Sequence, residues 1–154
     1  MALRVGETIP DVAAVGSGGT PVPLRSFLGT PLVVYFYPKD ETPGCTAEAC
    51  AFRDAYEAFV EAGATVVGIS GDSPTSHEAF ARRHGLPFLL LSDPDGSVRR
   101  AFGVGRTLGI LPGRVTFVAD ARGVVRHVFS SQIAATRHVR EALAVVERLR
   151  AERR

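Results

Sequence analysis

The chain has 154 residues, 45% hydrophobic and 22% charged, with a net charge of +2, which is the composition of one globular domain with enough chain to bury a core. Its 16 Gly and 10 Pro follow no repeat period, excluding collagen-like, low-complexity and solenoid architectures. Eighteen basic residues, of which only Lys39 is lysine, face 16 acids, and no stretch interleaves basic and aromatic side chains, so no nucleic-acid partner is expected.

In chain order, Val15 to Pro23 reads as a Gly- and Pro-rich surface loop. Leu32 to Tyr37 is a continuous apolar run that predicts a buried central strand. Thr46 to Val60 reads as a helix, because Phe52, Ala55, Tyr56, Phe59 and Val60 recur at helical spacing and Gly63 follows as a stop. Thr65 to Ser70 is the next strand. Ser73 to His84 is a second helix, with Ser73 as N-cap, Pro74 at the first helical position and Gly85 as the stop. Phe88 to Leu91 is a short strand, and Gly103 to Gly113 reads as another surface loop. Arg114 to Val118 and Val124 to Phe129 flank a turn marked by Asp120 and Gly123, a hairpin signal. A final helix, about Ala134 to Arg150, carries Val139, Ala142, Leu143, Val146 and Leu149 on one stripe. The alternation of apolar strands and amphipathic helices predicts a layered α/β domain. The apolar runs are far shorter than the roughly 18 residues of a membrane helix, and the N-terminus has no apolar signal-peptide core. No membrane association is therefore expected, and the expected compartment is cytoplasmic.

The chemistry concentrates in FYPKDETPGCTAEACAFRD, residues 36–54, where a buried strand ends at Pro38, a turn follows and Cys45 opens a helix. The unpaired N–H groups and positive dipole end of a helix favour a thiolate, the nucleophilic form of cysteine. Cys50 follows five residues later. In an intact helix that spacing gives a rise of about 7.5 Å and a rotation of about 140°, so the two Cα atoms lie roughly 8–9 Å apart. A disulfide needs less than about 7 Å, so the two sulfurs can meet only after the first turns unwind. The same rotation puts Cys45 with Phe52, Tyr56 and Phe59 on an inward face, and Cys50 with Asp54 and Glu57 on the opposite one. Glu48 shares the Cys45 face and is placed to orient an arginine. Thr42 offers a hydroxyl beside the sulfur, Pro43 stiffens the turn, and Gly44 admits close approach. These residues specify a reactive thiol with a second thiol available after local unfolding.

Pro38, Thr42 and Cys45 fit the peroxiredoxin pattern of Pro, three residues, Thr or Ser, two residues, Cys, and the longer string with Cys50 resembles the bacterioferritin-comigratory, or Q-type, branch. VVGISGDSPTSHEAF, LPFLLLSDPDG and RVTFVADARGVV extend the resemblance over most of the chain. It implies a thioredoxin-like fold with a central mixed sheet flanked by helices, one peroxiredoxin (alkyl hydroperoxide reductase/thiol-specific antioxidant) domain over 1–154, and a thiol peroxidase that uses no metal, haem or flavin. Cys45 would be the peroxidatic cysteine, attacking hydrogen peroxide or an alkyl hydroperoxide and becoming a sulfenic acid. Thr42 would hold the peroxide, Pro43 would shield the sulfur, Arg114 would stabilise the charge on the breaking O–O bond, and Glu48 would orient Arg114. Cys50 would resolve the sulfenic acid as a disulfide, which thioredoxin or a similar dithiol reopens. The branch also implies a monomer.

FGVGRTLGILPGR, residues 102–114, departs from the family pattern, which often has a tryptophan and lysines there, and it brings Arg106 into competition with Arg114. The strand signature after Arg114 favours the latter. The four histidines, His77, His84, His127 and His138, match no ligand spacing, and with two cysteines they predict no zinc site. Two other readings of the reactive thiol stay open. A protein disulfide oxidoreductase on the same fold normally has two residues between its cysteines, and here there are four. A redox-sensing or chaperone module would use the Cys45 switch to expose a partner surface.

Overall fold

The computed structural model of the chain describes residues 2–107 and 111–152, the side chains of residues 106, 107, 111 and 112 excepted. The described strands are β1 (Ala13–Val15), β2 (Pro21–Pro23), β3 (Leu32–Phe36), β4 (Thr65–Ser70), β5 (Leu89–Ser92), β6 (Arg106–Thr107), β7 (Leu111–Pro112), β8 (Val115–Ala119) and β9 (Val125–Ser130). The α-helices are α1 (Pro43–Asp54), α2 (Tyr56–Glu61), α3 (Pro74–His84), α4 (Ser97–Ala101) and α5 (Ala135–Glu152). Seven of the strands form one mixed sheet in the order β2-β1-β5-β4-β3-β8-β9. Strands β3, β4 and β5 run parallel, and the outer pairings are antiparallel. This is the predicted α/β domain with a central mixed sheet.

Strand β3 lies inside the sheet, between β4 and β8, and is covered on both faces, which is why its sequence is an unbroken apolar run rather than an alternation. Val33, Tyr35 and Tyr37 point to a core shared with Phe52 of α1, Phe59 of α2, Phe80 of α3 and Val146 of α5. Leu32, Val34 and Phe36 point the other way, to Phe102, Phe117 and Ile69. Tyr35 stacks on Phe52 at 4.5 Å between ring centroids, which ties α1 to the sheet.

The predicted α3 has its Ser73 cap, whose hydroxyl accepts from the Ser76 N–H at 3.1 Å. Gly85 ends the helix in the left-handed conformation at φ 61°, where a side chain would be strained. The β8–β9 turn is held by the Asp120 carboxylate, which accepts from the N–H groups of Arg122 and Val124.

Three expectations need correction. The segment Val15–Pro23 is not wholly a loop: β1 and β2 pair as a hairpin at the sheet edge, where proline's missing N–H costs little. The helix read as continuous from Thr46 to Val60 begins earlier, at Pro43, and breaks at Ala55, whose ψ of 3° leaves the helical range. The segment Gly103–Gly113, read as a loop, contains the short β6–β7 ladder; residues 108–110 lie outside the described residues.

Candidate active site

The turn between β3 and α1 prepares the site. Thr42 caps α1 in extended conformation, and Pro43 occupies the first helical position, where its missing N–H is no loss. The Thr46 N–H bonds to the Thr42 carbonyl at 2.8 Å, so Cys45 sits in the first turn, at the end where the N–H groups and the dipole are unopposed. Glu41, just before the cap, holds a left-handed φ of 65°, which costs a non-glycine residue about 1–3 kcal/mol. The Thr42 hydroxyl donates to the Lys39 carbonyl at 2.8 Å, closing the turn from inside.

Arg114 enters from the sheet. Phe36 lies opposite Val115 in the antiparallel β3–β8 register, so Arg114, one residue earlier, stands where β3 ends and the chain turns toward α1. Its guanidinium is a fork between two partners: Nη1 donates to Glu48 Oε1 at 2.6 Å and Nη2 donates to Cys45 Sγ at 3.3 Å. All three groups are buried, Cys45 at 1%, Glu48 at 0% and Arg114 at 4% exposure. A Cβ on Gly44 would stand 3.1 Å from Nη2. The glycine expected to admit a ligand thus also admits the arginine. Cys45, Glu48 and Arg114 come together as the sequence predicts, and Thr42 and Pro43 flank them at the mouth of the turn. The side chain of Arg106 lies outside the described residues, and the position of Arg114 supports the preference for it.

Cys50 is half-buried on the other side of α1, with Asp54 and Glu57 exposed beside that face, and both cysteines are free thiols. The opposed faces inferred from the five-residue spacing are therefore present.

Two histidines read as scattered prove to be buried in networks. His138, on α5, bonds Thr116 Oγ1 through Nδ1 and the Ser131 carbonyl through Nε2, both at 2.8 Å, and its Nδ1 is 3.6 Å from Glu48 Oε2. His77, on α3, reaches Asp40 Oδ2 through Nδ1 at 2.8 Å, while the Tyr37 hydroxyl donates to Asp40 Oδ1 at 2.6 Å. Burial pushes the Asp40 carboxyl up, but the hydrogen bonds from His77 and Tyr37 outweigh it and hold the group below its ordinary range. This cluster anchors the start of the β3–α1 turn. Periodicity could have found His138, which falls on the α5 stripe four residues before Ala142 and seven before Val145.

Burial dominates the electrostatics around Glu48. It pushes the carboxyl from its ordinary 4.5 up to about 8, against the charge and hydrogen bond of Arg114. Burial likewise drives His138 from 6.5 down to about 4, opposed by the Ser131 bond and assisted by Arg114. Between about pH 4.5 and 8 the folded chain holds a proton on Glu48 that the unfolded chain has released. This group's stabilisation is therefore complete below the unfolded value and is lost as pH rises through the folded one. Glu48→Gln is expected to flatten the fall in stability over that window, read by chemical denaturation at stepped pH. An unchanged slope would show that Glu48 does not carry the proton.

The AhpC/TSA family model matches residues 5–128. A chloroplastic peroxiredoxin Q of Sedum lineare is 53% identical over 146 residues, covering 94% of this chain and 78% of its own length. The crystal structure of peroxidoxin BcpB from Mycobacterium tuberculosis superposes with a TM-score of 0.87 at 40% identity, covering 95% of this chain and 97% of that one. A bacterioferritin comigratory protein of Xanthomonas campestris, solved to study its alkyl peroxide reduction activity, gives a TM-score of 0.85 at 34% identity, covering 96% of this chain and 99% of that one.

Proposed function

The chain belongs to the AhpC/TSA family, in its peroxiredoxin Q branch, and is a thiol peroxidase; on that premise we propose that Cys45 is its peroxidatic nucleophile and Cys50 its resolving thiol. The observation that carries this reading is the Arg114 fork, which sets one buried cation against both Cys45 Sγ and Glu48.

The Cys45 thiolate attacks one oxygen of a hydroperoxide. The S–O bond forms as the O–O bond breaks, sulfur is oxidised to the sulfenic acid, and the second oxygen leaves as an alkoxide or hydroxide that takes a proton. Arg114 stands where negative charge spreads from sulfur along the breaking bond, and the α1 dipole adds to it. The Thr42 hydroxyl spends its hydrogen on the Lys39 carbonyl, so its lone pairs are free to accept the hydroperoxide O–H. Pro43 shields the sulfur, and Glu48 holds the guanidinium in plane by a charge-assisted bond.

The first turns of α1 then unwind, for the reason of distance given above. The break at Ala55 makes α1 a short unit separate from α2, so its opening need not disturb the next helix. Cys50 attacks the sulfenic sulfur, water leaves, and the exposed disulfide is reopened by thioredoxin or a similar dithiol. Such a cycle suits a reducing compartment, the cytoplasm or the plastid for which the plant relatives are named. Among the described residues no helix is long and apolar enough to cross a membrane. The cycle needs a single copy of the chain.

Cys50→Ser is expected to keep one stoichiometric round of hydrogen peroxide reduction and to lose sustained turnover with thioredoxin, at least about tenfold, as followed by peroxide consumption. Undiminished turnover would remove Cys50 from the cycle.

A further inference from the structure

His138 is fully buried against the site, yet the mechanism above does not use it. Its Nε2 lies 2.8 Å from the Ser131 carbonyl, and a carbonyl only accepts, so Nε2 carries the hydrogen. Burial keeps the imidazole neutral, with a value of about 4, and Nδ1 is therefore a lone pair that takes the Thr116 hydroxyl hydrogen at 2.8 Å. Glu48 Oε2 faces this nitrogen at 3.6 Å. It is buried and has no hydrogen-bond partner among the described residues, whereas Oε1 is served by Arg114. A buried carboxylate with one oxygen unserved by any donor costs more than the neutral acid protonated on that oxygen.

The groups facing Glu48 come from four elements. Cys45 is on its own helix, Arg114 stands before β8, His138 comes from α5, and Tyr35 from β3 is a phenol that burial holds neutral, well above its ordinary 10.0. One guanidinium thus faces two acids, and the pocket is neutral when a single proton resides on one of them.

Resting on the reading of Cys45 as nucleophile, we propose that His138 is a positioning residue: the nitrogen it turns toward Glu48 carries no hydrogen and its lone pair is taken by Thr116, so the carboxylate gains no donor there and the carboxyl holds the proton that Cys45 gives up, leaving the Arg114 charge to the thiolate. The thiol and the carboxylate become thiolate and carboxylic acid with no proton drawn from solvent. When the sulfur becomes a sulfenic acid and its charge leaves on the alkoxide, Arg114 again favours ionised Glu48. The proton then released equals the one needed to convert the alkoxide to alcohol.

The test uses infrared spectra of the reduced full-length protein at neutral pH, together with alkylation of Cys45 by iodoacetamide against pH, read by peptide mass. The expected spectrum contains the carbonyl stretch of a protonated carboxylic acid. That band is absent in Glu48→Gln. His138→Asn places an amide that can turn an N–H toward Oε2 and stabilise the carboxylate. It is expected to move the alkylation profile up by about one pH unit, about tenfold slower at neutral pH, with the deficit closing at high pH. A merely structural lesion would slow the reaction equally at every pH. Absence of the band in the reduced protein, or a His138→Asn profile superposable on the parent, overturns the proposal, and should that variant not fold, the spectra alone decide. Should Cys45 alkylate normally but ignore peroxide, the peroxidase reading falls while band and profile still report on the shared proton.

Discussion

Cys45→Ser is expected to abolish peroxide reduction, a loss on the order of 10⁶-fold and at the lower end of enzymatic rate accelerations. A serine hydroxyl in the same place has neither the ionisation nor the polarisability to attack an O–O bond, whatever the surroundings offer. The fold should survive, because the Arg114 Nη2 that donates to sulfur at 3.3 Å can donate to a hydroxyl oxygen, holding the cost within about 2 kcal/mol. Peroxide consumption under saturating dithiol, with circular dichroism as the control for folding, checks both halves. Residual turnover above the rate of free thiols would place the nucleophile elsewhere, and Cys50 would be the first residue to test.

Arg114→Lys carries the second largest effect. The guanidinium serves Glu48 with one nitrogen and Cys45 with another, whereas an ammonium is a point charge that cannot span both in one plane. With Glu48 at 0% exposure and Arg114 at 4%, a lysine ammonium that donates to Glu48 Oε1 abandons the sulfur. The rate of Cys45 oxidation is expected to fall about 10²–10³-fold, the usual cost of removing one preorganised donor from a charge-developing site, while charge retention limits the loss of stability. Stopped-flow oxidation with hydrogen peroxide reads the rate directly. A decrease below about threefold would mean that positive charge alone, and not the fork, supports the reaction.

Much of this arrangement is legible in the sequence because short-range signals carry it. The run at Leu32–Tyr37 can only be a strand covered on both faces, the Ser73-Pro74 and Gly85 pair brackets α3 by its caps, and the five-residue step from Cys45 to Cys50 fixes opposite helix faces by geometry. Glu48 is found the same way, three residues after the cysteine. The hairpin of β1 and β2 is not legible, since three-residue strands flanked by glycine and proline have no period to detect, and β1 joins the sheet only where Val15 lies opposite Ser92 of β5, distant in sequence. The break at Ala55 has no glycine or proline to announce it and sits inside a pattern that continues in phase. Thr116 is missed for another reason: it looks like an ordinary polar residue until the β8 register turns it toward the same face as Tyr35 and α5 packs across it.

The claim at the centre of this account is that Cys45 and Cys50, on opposite sides of an intact α1, join after peroxide attack. Peptide mass analysis of the reduced protein after one equivalent of hydrogen peroxide, with a rapid acid quench and a parallel turnover assay with thioredoxin, tests it most directly. The account predicts a fast Cys45–Cys50 disulfide within one chain together with sustained turnover. Two free thiols persisting through the exposure would contradict it.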